Sequence, residues 1–226
     1  MTFAEQVLQF HFQTLQPNWQ LPDGVELIFP FDKPATQDCM RAFYSKYFSD
    51  DKPRIFVLGI NPGRFGAGVT GVPFTGPVRL IEKCGIHHPF PKKGELSADF
   101  IYRWIAAMGG PDFFYRNFYI TSVCPLGFIR QGKNYNYYDS KKLERAVTPH
   151  IINNLNTQLA FGSQRHTVLC LGEGKNYRFL DALNNEHNFF SQVIPLPHPR
   201  YVMQYKRKSL QDYLDRYVSA AHEALN

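Results

Sequence analysis

No two of the four cysteines lie close together: Cys39, Cys84, Cys124 and Cys170 are at least forty positions apart. With no CxxC pair, a zinc ribbon or an iron–sulfur cluster is excluded as the organising device, and Cys84-x-x-His87 stands without partners. The thiols read as scattered, half-buried side chains of a reducing compartment. Long apolar runs are also missing. The strongest, IFVLGI, is far too short to cross a bilayer. The first residues, MTFAEQVLQFHFQTL, have neither a basic n-region nor an unbroken apolar core, so no signal peptide is expected. A soluble, cytoplasmic, monomeric protein with no membrane partner, metal or cofactor is the expectation.

Charge is sparse as well, at 19% of residues against 44% hydrophobic, which excludes a disordered chain. The net charge of +6 permits a nucleic-acid partner without requiring one. No repeat, low-complexity tract or linker divides the 226 residues, so one domain over 1–226 is expected. What the chain does have is aromatics: 20 Phe and 13 Tyr. Most must enter the core, and the remainder can stack on a planar ligand.

Apolar spacing predicts an opening helix through Phe3, Val7, Leu8, Phe12 and Leu15, and another over about 35–48. Further helices are predicted over 78–84, over 97–108 with Ser97 as its cap, from Asp139 or Ser140 to about 160, from 172 to 183, and at the C-terminus. Pro149 is expected to interrupt the helix that contains it or to begin a second piece. Four apolar, β-rich runs read as strands: 54–59, 118–123, 167–171 and 192–196. Their alternation with helices predicts an α/β fold, a four-stranded parallel sheet between two helix layers. Ligands of such sheets bind beyond the carboxyl ends of the strands.

The first strand runs into GINPGRFGAGVTGVPFTGP, residues 59–77. Gly66, Gly68 and Gly71 form a GxGxxG, yet the first of them lies seven positions past the strand end. Pro73 and Pro77 oppose the helix that a dinucleotide fingerprint opens. A P-loop fails too, because Val69 stands where the phosphate-binding lysine belongs. The phosphate patterns leave Asn61, Pro62 and Phe74 unexplained. A carboxamide at a strand end and a ring in a stiff loop suit a flat, uncharged heterocycle. Beyond the fourth strand, PHPRYVMQYKRK fixes His198 between prolines and follows it with four cations, two tyrosines and a methionine. That mixture favours nucleic-acid contact over a merely solvated basic helix start.

GINPGRFGAGVTGVPF, then SVCPLGF followed by GKN, then HPR, occur in the order of the motifs of the single-strand-selective monofunctional uracil-DNA glycosylases, which the chain resembles. The resemblance implies hydrolysis of the uracil–deoxyribose bond in single- or double-stranded DNA, leaving an abasic site for base excision repair. By position, Asn61 corresponds to the asparagine that orients the attacking water. Phe74 corresponds to the ring that stacks on the flipped base, and His198 to the histidine that hydrogen-bonds the departing base. Gly63, Phe65 and Asn134 fall at or beside the base pocket. Arg200, Tyr201, Met203, Lys206, Arg207 and Lys208 fall in the segment that enters the duplex, with Tyr201 and Met203 as the inserting candidates.

Two departures stand out. Ser122 replaces the family's base-reading asparagine, and a rotating hydroxyl discriminates base edges less firmly than a fixed carboxamide. HPR is also shorter than the family's HPSPR, which implies a different wedge. No carboxylate lies between Arg54 and Leu80. Asn61 can therefore hold a water without being a strong base, and the acceleration must come mainly from stabilising the leaving anion. Two rivals remain: a nucleic-acid-binding protein of the same fold without activity, and a small-molecule enzyme using the same cleft.

Overall fold

The computed structural model describes residues 1–226. Its strands are β1 (Val25–Ile28), β2 (Arg54–Gly59), β3 (Phe118–Ser122), β4 (Gly127–Arg130), β5 (Lys133–Tyr135), β6 (Ser163–Leu171) and β7 (Gln192–Leu196). The helices before β3 are α1 (Phe3–Gln9), α2 (Pro34–Tyr47), α3 (Ala67–Thr70), α4 (Pro77–Cys84), α5 (Leu96–Ala107) and α6 (Pro111–Asn117). After the hairpin come α7 (Lys141–Leu159), α8 (Lys175–His187), α9 (Pro199–Tyr205) and α10 (Leu210–Leu225).

The four predicted strands form one sheet in the order β3-β2-β6-β7, and every neighbouring pair is parallel. β2 is buried along its whole length, as an inner parallel strand requires, and so is the edge strand β3. The chain steps from β2 to one edge and from β6 to the other. Right-handed crossovers then put the connecting helices on opposite faces, which gives the expected three layers. One continuous cluster of 58 buried side chains fills them.

At the amino end of the sheet sits a fully buried cation. Arg54 opens β2 with its Nε donating to the Tyr115 carbonyl (3.1 Å) and Nη1 to Asp50 Oδ1 (2.6 Å). Its guanidinium lies 5.3 Å from the Phe3 ring centre and 5.4 Å from that of Phe48. Burial pushes the Asp50 carboxyl up, but hydrogen bonds from Arg54 and the Lys52 amide, with the charges beside them, hold it below its ordinary value.

Several elements differ from the sequence expectation. Pro149 does not break α7, which runs on through it. Leu143, Val147, Ile151 and Leu155 recur every four residues and are all buried. Burial at about 1.5–3 kcal/mol per side chain outweighs the roughly 3 kcal/mol that an interior proline costs. Pro77 opposes nothing, since it occupies the first turn of α4 and needs no amide there. Ser97 does not cap α5. Glu95 holds that position, and Ser97 lies within the first turn. The cysteines are fully rather than half buried.

A second sheet was not foreseen: β1-β4-β5, antiparallel throughout. Gln131 (φ 50°) and Gly132 (φ 69°) join β4 to β5. Two consecutive positive φ values are the two-residue hairpin turn whose twist suits paired strands. The segment that the resemblance assigns to duplex entry forms the helix α9, followed by a 3-10 turn, Arg207–Ser209. No helix is long and apolar enough to cross a membrane.

Arg54→Ala should lower unfolding stability by about 3 kcal/mol or more, because it strands the Tyr115 carbonyl and empties a packed site. Urea denaturation of both proteins measures this; a loss under 1 kcal/mol contradicts the assigned role.

Candidate active site

Beyond the carboxyl ends of β2 and β3 lies a cavity of about 270 Å³. That is near the small end of ligand sites, about 300 Å³, and suits one ring better than a dinucleotide. Asn61, Gly63, Phe74, Ser122, Asn134, His198 and Arg200 all line it. Phe65 does not; it borders an adjoining hollow of about 170 Å³.

Asn61 follows β2 by two residues and its carboxamide is already committed. The Tyr137 amide donates to Oδ1 (3.2 Å), and Nδ2 donates to the Tyr135 carbonyl (3.3 Å). The group therefore clips the hairpin's exit to the end of the parallel sheet. One lone pair of Oδ1 remains for a water. Asn134 closes the same junction from the other side, its Oδ1 accepting from the Arg64 amide (3.1 Å). That bond orients the carboxamide, and Nδ2 lies over Gly63, where an added Cβ would meet it at 3.2 Å.

Phe74 adopts φ 52°, a left-handed conformation that a bulky residue rarely takes. Its neighbours enforce it. The Thr75 amide donates to the Val72 carbonyl (3.1 Å), and the buried Thr70 hydroxyl donates to the Thr75 carbonyl (2.9 Å). Thr75 Oγ1 is 3.1 Å from the Tyr102 hydroxyl. The ring then lies against Gly59, where a Cβ would stand 3.0 Å from Cε2, and its centre is 6.1 Å from that of the His198 ring. Strain held by surrounding contacts is characteristic of functional loops.

His198 is the amino cap of α9. The Arg200 amide donates to its Nδ1 (3.2 Å). An amide can only donate, so Nδ1 carries the lone pair and Nε2 carries the hydrogen. Burial, reinforced by the Arg200 charge, lowers the imidazole to about 4. At neutral pH the ring is therefore a fixed, uncharged donor. The Tyr217 hydroxyl donates to the Pro197 carbonyl immediately before it and braces the turn.

Three polar residues of the cavity carried no site assignment in the sequence: Glu95, Ser97 and Asn136. Asn136 had a readable signal, since alternation along an extended chain puts it on the face of Asn134. Glu95 had none, because it precedes a helix far from every motif. Its Oε2 is shielded from water and accepts no hydrogen bond. Burial raises its carboxyl to about 7; the Arg200 charge opposes the rise and Asp99 adds to it.

The glycines of the GxGxxG serve the protein's own packing and not the approach of a ligand. A Cβ on Gly66 would sit 2.2 Å from Glu95 Oε2, and one on Gly68 would sit 2.6 Å from the Gly63 carbonyl oxygen. Among the basic-segment residues, Tyr201 is 44% exposed and Met203 only 6%. Met203 packs into the core and is not available to enter a duplex. Tyr205 takes its place on the surface, 66% exposed, with its ring centre 5.7 Å from that of Tyr201. Arg200, Lys206, Arg207 and Lys208 are exposed. Arg207 is partly spent, because its Nε donates to the Met203 carbonyl (2.8 Å). No group of three or more His, Cys, Asp or Glu is placed to hold a metal ion.

Fold and site together define a doubly wound α/β protein with a strand-end cavity sized for one planar ring. The profile of the Uracil DNA glycosylase superfamily matches residues 45–222, and the chain belongs to that superfamily. It is 29% identical over 152 residues to the single-strand selective monofunctional uracil DNA glycosylase of Mus musculus, covering 58% of this chain and 52% of that protein. The Rattus norvegicus protein of the same description is 30% identical over the same extent. The chain thus spans about half the length of the curated relatives it matches. The crystal structure of wild-type SMUG2 from Pedobacter heparinus superposes with a TM-score of 0.95 at 47% identity, covering 100% of this chain and 99% of that one.

The His198 imidazole should stay neutral, with hydrogen on Nε2, down to about pH 4. Its folded pKa lies below the unfolded value of 6.5, so this contribution to stability is complete above pH 6.5 and is lost as pH falls toward 4. Nitrogen-15 NMR of the ring reads both tautomer and titration; protonation near 6.5 contradicts the assignment.

Proposed function

We propose that the protein is a monofunctional DNA glycosylase that hydrolyses the N-glycosidic bond of uracil in DNA, acts as a monomer and serves base excision repair. The observation that carries this reading is His198, a neutral Nε2–H donor fixed at the rim of a ring-sized cavity, opposite the strained Phe74.

The base leaves the stack and lies against Phe74, while Asn134 Nδ2 and the Ser122 hydroxyl meet its edge. As the C1′–N1 bond breaks, its electron pair passes to the base, and negative charge spreads to the carbonyl oxygens. His198 Nε2–H donates to that growing charge without first needing to lose a proton, the kind of preorganised donor that supplies most electrostatic catalysis. A water on the free lone pair of Asn61 Oδ1 adds its oxygen to C1′ and gives up a proton to solvent. No lysine lines the cavity, so no amine is placed to form an imine with the sugar. The product is an intact strand with an abasic site.

The Ser122 hydroxyl can donate or accept, which supports a base range wider than uracil alone. Tyr201 and Tyr205 offer a stacking pair beside Arg200, Lys206 and Lys208, a surface suited to unpaired bases and phosphates.

Uracil-containing oligonucleotides, single- and double-stranded, treated with the protein and then with hot alkali, should break at the uracil and stay whole without alkali. His198→Ala should slow release about 10²–10³-fold, the usual cost of one preorganised donor. In a panel of uracil, hypoxanthine, xanthine and mismatched thymine, uracil should be cleaved fastest. Absence of alkali-labile sites at high protein excess would exclude the activity, and retained binding in that case would leave a non-catalytic DNA-binding protein. Tyr201→Ala with Tyr205→Ala should weaken single-strand affinity by about 1–3 kcal/mol per lost stack, read by fluorescence anisotropy.

A further inference from the structure

Glu95 is the one carboxyl group in the cavity, and the reaction outlined above does not use it. It arrives from the turn before α5 and lies against the backbones of Gly66 and Gly76, where an added Cβ would be 2.2 Å and 3.6 Å from Oε2. Only a glycine at 66 leaves room for it. Although it occupies the amino-cap position of α5, its side chain makes no capping bond. Oε2 is shielded from water and lacks any hydrogen-bond partner, while the residue as a whole lines both the ring-sized cavity and the adjoining hollow. A shielded carboxyl oxygen without a partner is costly, and it is normally matched by a ligand or neutralised.

The surrounding charges decide which. Arg200 of α9 lines the same two cavities, but it forms no ion pair with Glu95 within 4.0 Å. Asp99, one turn along α5, is held by Arg79 of α4 (2.5 Å). His198 faces the cavity uncharged. Arg64 and Lys93 are engaged with the Phe65 ring, 4.5 Å and 3.5 Å from its centre. No cation is therefore committed to Glu95. An ionised carboxylate here would also repel the anion that the leaving base becomes.

We propose that Glu95 acts in its protonated form, donating a hydrogen bond to a carbonyl oxygen of the extruded base. This rests on the cavity being the base pocket. Charge grows on that oxygen as the glycosidic bond breaks, so the bond strengthens toward the transition state, and the proton stays on Glu95. The donor also selects chemically. It favours a ring edge carrying a carbonyl over one carrying an exocyclic amino group, which is the difference that deamination makes. Because the carboxyl titrates near 7, activity depends on it from the alkaline side. Together with His198, which must be neutral, it defines a window between about pH 4 and 7.

Single-turnover release of uracil from one oligonucleotide, measured from pH 5 to 9, tests this with wild type, Glu95→Gln and Glu95→Ala, folding being checked by thermal unfolding. Wild type should lose about tenfold per pH unit above the Glu95 pKa. Glu95→Gln keeps an uncharged N–H donor at the same place. It should stay within about tenfold of wild type at pH 6 and show no decline through pH 8, with the titration of the substrate itself common to both. Glu95→Ala should be slower by about 10² at pH 6 and equally flat. The inference is overturned if Glu95→Gln retains the wild-type alkaline decline, or if Glu95→Ala matches wild type at pH 6. If wild type releases no base at any pH, the base-pocket reading falls and this inference falls with it.

Discussion

The carboxamide of Asn61 is the joint on which the rest depends. The four-stranded sheet and the small antiparallel sheet are separate hydrogen-bonded units, and each supplies one side of the cavity. Asn61, two residues past β2, binds the backbone of Tyr135, the last residue of β5, and of Tyr137 beyond it through both ends of its amide. Asn134 returns the connection by accepting from the Arg64 amide in the loop after β2. Two reciprocal carboxamide clips thus turn two sheets into one cradle. A side chain fixed in this way loses little further freedom on meeting a ligand, which is the physical content of preorganisation.

Apart from Arg200, which also lines the cavity, the cavity's donors are neutral. His198 is uncharged because its half-buried ring is desolvated and because a backbone amide occupies its Nδ1. Asn134 presents an amide, Ser122 a hydroxyl, and Glu95 a carboxyl pushed toward its protonated form. The remaining cations of this segment, Lys206, Arg207 and Lys208, stand exposed beyond α9. In the proposed reaction this division suits the problem, since phosphates need cations whereas a departing base anion needs donors that cost no reorganisation. The strained Phe74 belongs to the same design: a ring placed against Gly59 by a turn that no relaxed phenylalanine would choose.

Much of the sheet was readable because burial on both faces demands near-continuous apolar runs, and β2, β3, β7 and the inner half of β6 have them. The antiparallel hairpin was not, because β5 is three residues long and polar and carries no such run. Its only local mark was the Gln131-Gly132 turn. Pro149 misled because propensity is local, whereas the stripe that holds α7 together is a tertiary quantity. Met203 misled for a related reason. An apolar residue in a basic segment can face either way, and the helical register of α9 turned it inward and left Tyr201 and Tyr205 outside.

The sequence by itself determined the layering of the fold and the strand-end positions of Asn61, Ser122 and His198, because those follow from apolar runs and from what interrupts them. Tertiary structure alone decided which atoms are free. The backbone amide behind His198 fixed its tautomer, the Arg64 amide oriented Asn134, and Gly66 admitted Glu95 to the cavity. Each is a contact between residues distant in the chain or a backbone dipole that no side-chain pattern encodes. Protonation and hydrogen-bond capacity depend on those contacts rather than on residue type.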